Sequence, residues 1–526
     1  MMKTIPATAL NDLMRGAGEW ALFDVRETGE ADRGHIRGAT FLPRRMIEPR
    51  LAELVPNRAT TVVFYDEGGP RAALAAETAA RAGYRDVRTL EGGLRGWEDA
   101  GFVPVSGSNV VSKHFGEEIS HTERVPQITA QTLHEWQATG KPHIVCDIRT
   151  PGEYKVAHIP GAVGAFGVDA GLSASDLAAR QVPVVVHCAG RTRSIIACQT
   201  LRELGVGDVQ ALEDGTMGWT LAGFELEKGH PDRLLQPSPA SVREAGARGR
   251  ALAEGAGVTA VAAGQLREWL AQREAGALNL YVFDVRQVPE YEAAHIPGAK
   301  TLPGGLAIQR ADEFAAVRNA HIVLVDDDGA RAWITGYWLR RMQFPRVHVL
   351  DGGLARWQAE GAAIERGRVR AAPLLLDEAR GLIRRIAPAA LQELLAGGAP
   401  VTVVDVDTSR HFAGRHVPGA HWIPYGWLES RVADFVADRG TAVVVCCHDG
   451  LHSTYAGANL ARMGFADVRV LDGGTDRWAQ AGLPCATGLG EAAPDDVVVQ
   501  PYNGDKAAMA KYLAWEKKLT GDRRAG

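Results

Sequence analysis

The chain has 526 residues, 46% hydrophobic and 23% charged, with a formal net charge of −5. That composition fits a globular protein of several domains. The acidic balance argues against a nucleic-acid binder, and six cysteines in a chain of this length argue against a disulfide framework. The opening stretch, MMKTIPATALNDLMRGAGEW, lacks the apolar run of a secretion signal, and no segment approaches the ~20 apolar residues of a membrane span. The expected compartment is therefore the cytoplasm, where thiols stay reduced.

In chain order, one pattern is stated four times. In the first repeat Asp24 ends a strand and His35 lies in a turn. The strand TVVFY then leads into a loop opening at Asp66, and a Gly-Gly-x-x-x-Trp turn closes at Trp97. A linker, GSNVVSKHFGEEISH, follows. The second repeat runs from the buried strand HIVCDIR, ending at Asp147, through His158 to the strand PVVVH and the loop CAGRTRS. The apolar-periodic SIIACQTLRELG reads as a helix closed by Gly205, DVQAL as a short strand, and EDGTMGW ends at Trp219. QPSPASVREAGARGRALAEGAG is the next linker. The third repeat places Asp284, His295, the strand HIVLV, the loop DDDGARA from Asp326, and Trp357 in the same order. After RVRAAPLLLDEARGL, the fourth has Asp405, His416, AVVVC, the loop CCHDGLHS with Cys447 in register, and Trp478. From Glu491 an extended stretch precedes a helix, DKAAMAKYLAWEKKL, expected to pack on the last domain.

The His follows the Asp by 11 residues in every copy, and the Trp follows the loop opening by 31. The chain is thus four copies of one domain, each large enough to bury its own core. The expected boundaries are 1–106, 127–230, 259–368 and 384–488, with a tail over 489–526. Loop-to-loop spacings of 122, 138 and 121 residues put the longest linker in the middle, which predicts two pairs, one with two and three with four. Alternating strands and helices predict an α/β fold, each domain a mostly parallel five-stranded sheet flanked by helices.

The loop of the second repeat carries chemistry. Its strand delivers Cys188 to the carboxyl end of the sheet, where open α/β sheets place ligands. Small loop residues let backbone N–H groups turn toward the sulfur, and a nest closed by a helix N-terminus favours an anion such as a thiolate. Arg191 and Arg193 add positive charge, and the Arg193 fork is placed to meet an oxyanion. Cys146, within a strand, and Cys198, well into the helix, read as inert core thiols.

With these pieces in place the chain resembles the rhodanese (sulfurtransferase) family over nearly everything except linkers and tail. CDIRTPGEYKVAHIPGA, CAGRTRS and LEDGTMGW carry the resemblance in the second repeat, and FDVRQVPEYEAAHIPGA and LDGGLARW in the third. The resemblance implies a thiosulfate sulfurtransferase-like enzyme. The Cys188 thiolate would take sulfane sulfur from an anionic donor such as thiosulfate, and cyanide, a thiol or a protein cysteine would remove it from the persulfide. Ala189, Gly190, Arg191, Thr192, Arg193 and Ser194 would bind the donor. No cofactor, metal, nucleic-acid partner or membrane contact is expected. Cys-loop phosphatases of related fold carry their Arg six residues after the Cys; here Arg193 comes five after Cys188, which favours sulfur transfer. The reading of another class is a persulfide relay or interaction scaffold fed by a partner protein.

In the fourth repeat Cys447 is a second candidate nucleophile, with His452, partly charged near neutrality, in place of the loop-end Arg and Asp449 in the cradle. Cys446 should face the other side of the strand, which weighs against a metal site built from Cys446, Cys447, His448 and His452. Asp66 and Asp326 replace the nucleophile in repeats one and three, so those domains are expected to be inactive, with Arg71 and Arg331 pairing to the Asp residues. A metal site on Asp326, Asp327 and Asp328 is the rarer alternative to a solvated acidic turn. In tandem members of the family an inactive domain precedes an active one and walls its cleft, and this chain looks like that pair duplicated. Asp24/Arg26, Asp147/Arg149 and Asp284/Arg286, like the four His and four Trp, recur in copies without Cys and read as structural.

Overall fold

The computed structural model describes residues 3–519 except 328, 370, 399, 491–493, 499 and 502–503. Each repeat builds its own sheet, and the recorded strand pairings within every repeat are parallel. The strands of the second repeat run in the order Gln127–Ile128, Val209–Leu212, Val184–His187, Ile144–Asp147, Val163–Gly164. The other three repeats keep that order. The central strands are the β-branched runs Thr61–Tyr65, Val184–His187, His321–Val325 and Ala442–Cys446, almost wholly buried because helices cover both faces. In the second repeat one face packs Leu133, Val145, Ile159, Val185 and Trp219 into a core.

The repeats pair, but not as neighbours in sequence. One compact unit joins Trp20–Gly107 with Ala371–Val498, the first repeat with the fourth. The other joins the second and third within Ser108–Arg370, together with the tail from residue 499. The expected pairing of one with two and three with four is wrong, and the linkers explain why. The first contains a helix, Val110–Thr122, that lies on the helix Thr192–Glu203 of the second repeat. The second contains Pro239–Gly255, capped by Ser238 Oγ accepting from Ser241 N–H. Its small residues Ala245, Gly249 and Ala253 are buried, and the helix packs on Arg331–Arg341 of the third repeat. The long middle linker therefore binds repeats two and three together. In that unit Trp338, fully buried, donates Nε1–H to Thr200 Oγ1 at 2.9 Å.

The tail also departs from expectation. Its helix, Lys506–Glu516, packs on the second repeat rather than the last. Lys517 Nζ reaches Asp214 at 2.8 Å and Glu213 at 3.2 Å. Among the described residues no helix is long and apolar enough to cross a membrane.

Candidate active sites

In all four repeats the loop runs from a buried strand end to the first turn of a helix: Arg71–Arg81, Thr192–Glu203, Arg331–Arg341 and Leu451–Arg462. The late Gly turn clamps the loop from behind. Gly93, Gly215, Gly353 and Gly474 all have positive φ, and a Cβ on any of them would come within 2.5 Å of the backbone oxygen of the loop's first residue. The N–H of the next residue then donates to that oxygen, as Thr216 does to Cys188 O at 2.9 Å.

The first repeat reveals what the cradle holds. Asp66 Oδ1 accepts from Gly68 N–H at 2.8 Å and Gly69 N–H at 2.9 Å, and Oδ2 accepts from Ala72 N–H at 3.0 Å. The carboxylate is a built-in anion on three inward amides. Asp326 Oδ2 accepts from Ala332 N–H at 2.9 Å in the same way. Among the described residues no ion pair joins Asp66 to Arg71, against expectation. Arg71 forks onto Glu30 at 2.6 and 2.8 Å, and Arg331 likewise forks onto Glu290 at 2.8 and 2.7 Å. Asp328 lies outside the described residues.

In the second repeat Cys188 is 2% exposed, and its Sγ lies 3.5 Å from Ser194 Oγ. Both arginines are already engaged, which corrects the expectation of an open fork. Arg193 Nη1 and Nη2 bind the two oxygens of Glu153 at 2.9 and 2.8 Å. Burial alone would push the Glu153 carboxyl up, yet the Arg193 fork and the Thr150 hydrogen bonds bring it down to about 2. Arg191 binds Glu117 through Nε at 2.5 Å and Nη2 at 2.9 Å, and Asp214 through Nη1 at 3.3 Å. The tail completes the mouth. Thr192 Oγ1 donates to Glu516 Oε1 at 2.7 Å, while buried Glu516 Oε2 has no hydrogen-bond partner among the described residues. Burial pushes the Glu516 carboxyl up. Gly190, Tyr512, Glu516 and Lys113 line a small pocket over Cys188. Cys146 and Cys198 are buried away from this pocket, and burial pushes each thiol up to about 12.

The fourth repeat has a better-formed cradle around a poorer electrostatic site. Cys447 Sγ accepts from Gly450 N–H at 3.2 Å and Ser453 N–H at 3.4 Å. Burial nonetheless pushes the thiol up to about 12, and Asp407 and Asp449 add to the shift; Asp449 Oδ1 stands 3.6 Å from the sulfur. His452 does not stand in for an arginine. Burial lowers it to about 4, so it is neutral near pH 7 rather than partly charged. Cys446 faces the opposite side, its Sγ 3.6 Å from Asp405 Oδ2.

A sequence model of the rhodanese-like domain matches residues 7–100, 129–222, 263–360 and 387–481. The chain belongs to the rhodanese family. It is a rhodanese-type sulfurtransferase built from four such domains. The crystal structure of a thiosulfate sulfurtransferase from Pseudomonas aeruginosa is similar over 99% of this chain and 97% of its own, with 34% identity and a TM-score of 0.90. The thiosulfate sulfurtransferase GlpE of P. aeruginosa is 38% identical over 111 residues, covering 21% of this chain and 94% of GlpE. The putative thiosulfate sulfurtransferase SseB of Mycobacterium tuberculosis is 28% identical over 211 residues, 35% of this chain and 72% of SseB.

Several residues that shape these rhodanese loops escaped the sequence reading. Glu153 is at the N3 position of a capping box with Thr150, a local signature that disguises its long-range role. Glu117 sits in a segment read as linker, and Glu516 in a tail assigned to another domain. The recurrent Asp–Arg pairs are structural as expected: the Arg side chain meets the Asp at 2.6 Å in Asp24/Arg26, Asp147/Arg149 and Asp284/Arg286. The four His residues hold turns, each placing Nδ1 near the carbonyl four residues back.

Proposed function

We propose that Cys188 is the sulfur carrier of this sulfurtransferase. Its thiolate attacks the outer sulfur of an anionic donor such as thiosulfate. The S–S bond of the donor breaks, sulfite leaves with the bonding pair, and Cys188 holds a persulfide. A thiophilic acceptor, cyanide or a thiol, then attacks the outer sulfur and returns the thiolate. The observation that carries this reading is the sister cradle filled by Asp66. Where that domain offers three amides to its own carboxylate, the second domain offers the same loop to a cysteine sulfur and, in turn, to a persulfide.

Ala189 to Ser194 form the donor-binding segment. Arg193 acts as a positioning residue: anchored by Glu153 through both guanidinium nitrogens, it fixes a cation beside the Cys188 loop. Cys447 is a second, slower carrier, because its loop lacks any arginine and holds Asp449. A mechanism through thiolates belongs in a reducing compartment, in keeping with six free cysteines.

Steady-state kinetics with thiosulfate and cyanide tests the reading. Parallel double-reciprocal lines and loss of nearly all turnover in Cys188→Ser are the expected result. Full turnover in that variant overturns the assignment. Turnover absent from the wild type, with persulfide arriving only from a protein donor, favours the relay.

A further inference from the structure

The fourth domain changes three positions together. Where Arg26, Arg149 and Arg286 each grip the preceding strand-end Asp, it has Asp407, a second buried carboxylate beside Asp405. The N3 glutamate of the next helix, Glu30, Glu153 or Glu290 in the other domains, becomes His411. The residue after the loop opening, Glu67, Ala189 or Asp327 elsewhere, becomes His448. A guanidinium is thereby lost at the spot where one carboxylate and two imidazoles are gained.

These three side chains converge. Asp407 Oδ1 is 2.9 Å from His411 Nδ1 and Oδ2 is 2.5 Å from His448 Nδ1. The two rings stack with centroids 4.3 Å apart. One ligand atom from each residue lies within 4.8 Å of the other two. The carboxylate is held by two backbone amides: His448 N–H donates to Oδ2 and Thr408 N–H to Oδ1, each at 2.7 Å. Its side chain is 3% exposed, while those of His411 and His448 are 51% and 33% exposed. Among the described residues no Lys or Arg forms an ion pair with Asp407. His452, whose Nδ1 is buried without a hydrogen-bond partner, borders the same groups.

We propose that Asp407, His411 and His448 form a binding site for one divalent d-block cation such as Zn²⁺ or Co²⁺, standing where the sister domains keep a guanidinium. Two imidazoles and a carboxylate are a donor set that suits these ions. Ligand atoms around a tetrahedral zinc stand about 3.3 Å apart, so the two carboxylate–imidazole contacts need to open by less than ~1 Å and the widest separation to close by no more than ~1.5 Å. The hydrogen bonds onto the carboxylate are the outer support such sites use. The half-exposed histidines leave the remaining coordination positions to water or a small ligand, beside the loop that Cys447 opens. This is a different set from Cys446, Cys447, His448 and His452, which the strand splits between two faces.

The test uses the untagged full chain, stripped with a chelator and equilibrated with Co²⁺ or with Zn²⁺, with bound metal counted by mass spectrometry. One equivalent per chain is expected, with visible ligand-field absorption for Co²⁺. Affinity should fall at least tenfold in His448→Ala and in His411→Gln, with circular dichroism showing both variants folded, and should persist in Cys188→Ser. Failure of the wild type to bind either ion overturns the proposal. So does an equivalent that both folded histidine variants retain, since the ligands then lie elsewhere.

Discussion

At the scale of single residues, the four loops are one anion cradle with two kinds of occupant. Asp66 accepts three amide hydrogen bonds that a shorter side chain leaves unmade. Asp66→Ala should therefore destabilise its unit by about 1–3 kcal/mol, read from urea unfolding, and leave Cys188 turnover unchanged. The Glu153–Arg193 pair makes a pH prediction. A carboxyl held at about 2 in the fold and near 4.3 when unfolded contributes stability that is fully present above ~4.3 and is lost as pH falls toward 2. Glu153→Gln should lower stability at neutral pH and flatten the acid limb over that window. An unchanged slope between wild type and variant would show that the fork does not set the carboxyl's titration. The loop cysteines, the cradle and the Asp residues that replace the cysteine in two repeats were legible in sequence because register alone exposes them. The carboxylates that bind the loop were not, since Glu117 lies 74 residues from Arg191, Glu153 lies 40 from Arg193 and Glu516 lies 324 from Thr192.

At the scale of elements, strands and loop helices follow from pattern, because a run such as VVVH in front of a small-residue loop admits few alternatives. The linker helices were less visible. Val110–Thr122 and Pro239–Gly255 pack small or sparse apolar residues, and neither segment shows a strong apolar stripe. The tail helix was recognised as a helix, but its docking place depends on Thr192, Asp214 and Glu213 meeting Glu516 and Lys517, which no local pattern encodes. A chain ending at Gly504 should open the mouth over Cys188. Its alkylation by iodoacetamide should quicken several-fold, measured by peptide mass spectrometry at constant pH. An unaltered rate would mean that the helix does not gate access.

At the scale of the whole molecule, spacing misled. The longest interval in the chain separates the two repeats that pack together, because the extra residues form the helix that joins them. Each pair still places an Asp-loop domain beside a cysteine domain, the third beside the second and the first beside the fourth. A fragment of residues 108–370 should fold cooperatively and keep the Trp338–Thr200 contact, whereas 1–230, a pair adjacent only in sequence, should expose apolar surface and bind a hydrophobic dye. A well-folded 1–230 fragment would reinstate the neighbour pairing.

If sulfur passes through Cys188, mass spectrometry of the whole protein and its peptides after mixing with thiosulfate will find it there. A mass gain of one sulfur atom is expected on the Cys188 peptide, discharged by cyanide and absent from Cys188→Ser, with a smaller and slower gain on Cys447. Sulfur found on Cys447 alone, or on neither cysteine while cyanide is still converted, would contradict passage through Cys188.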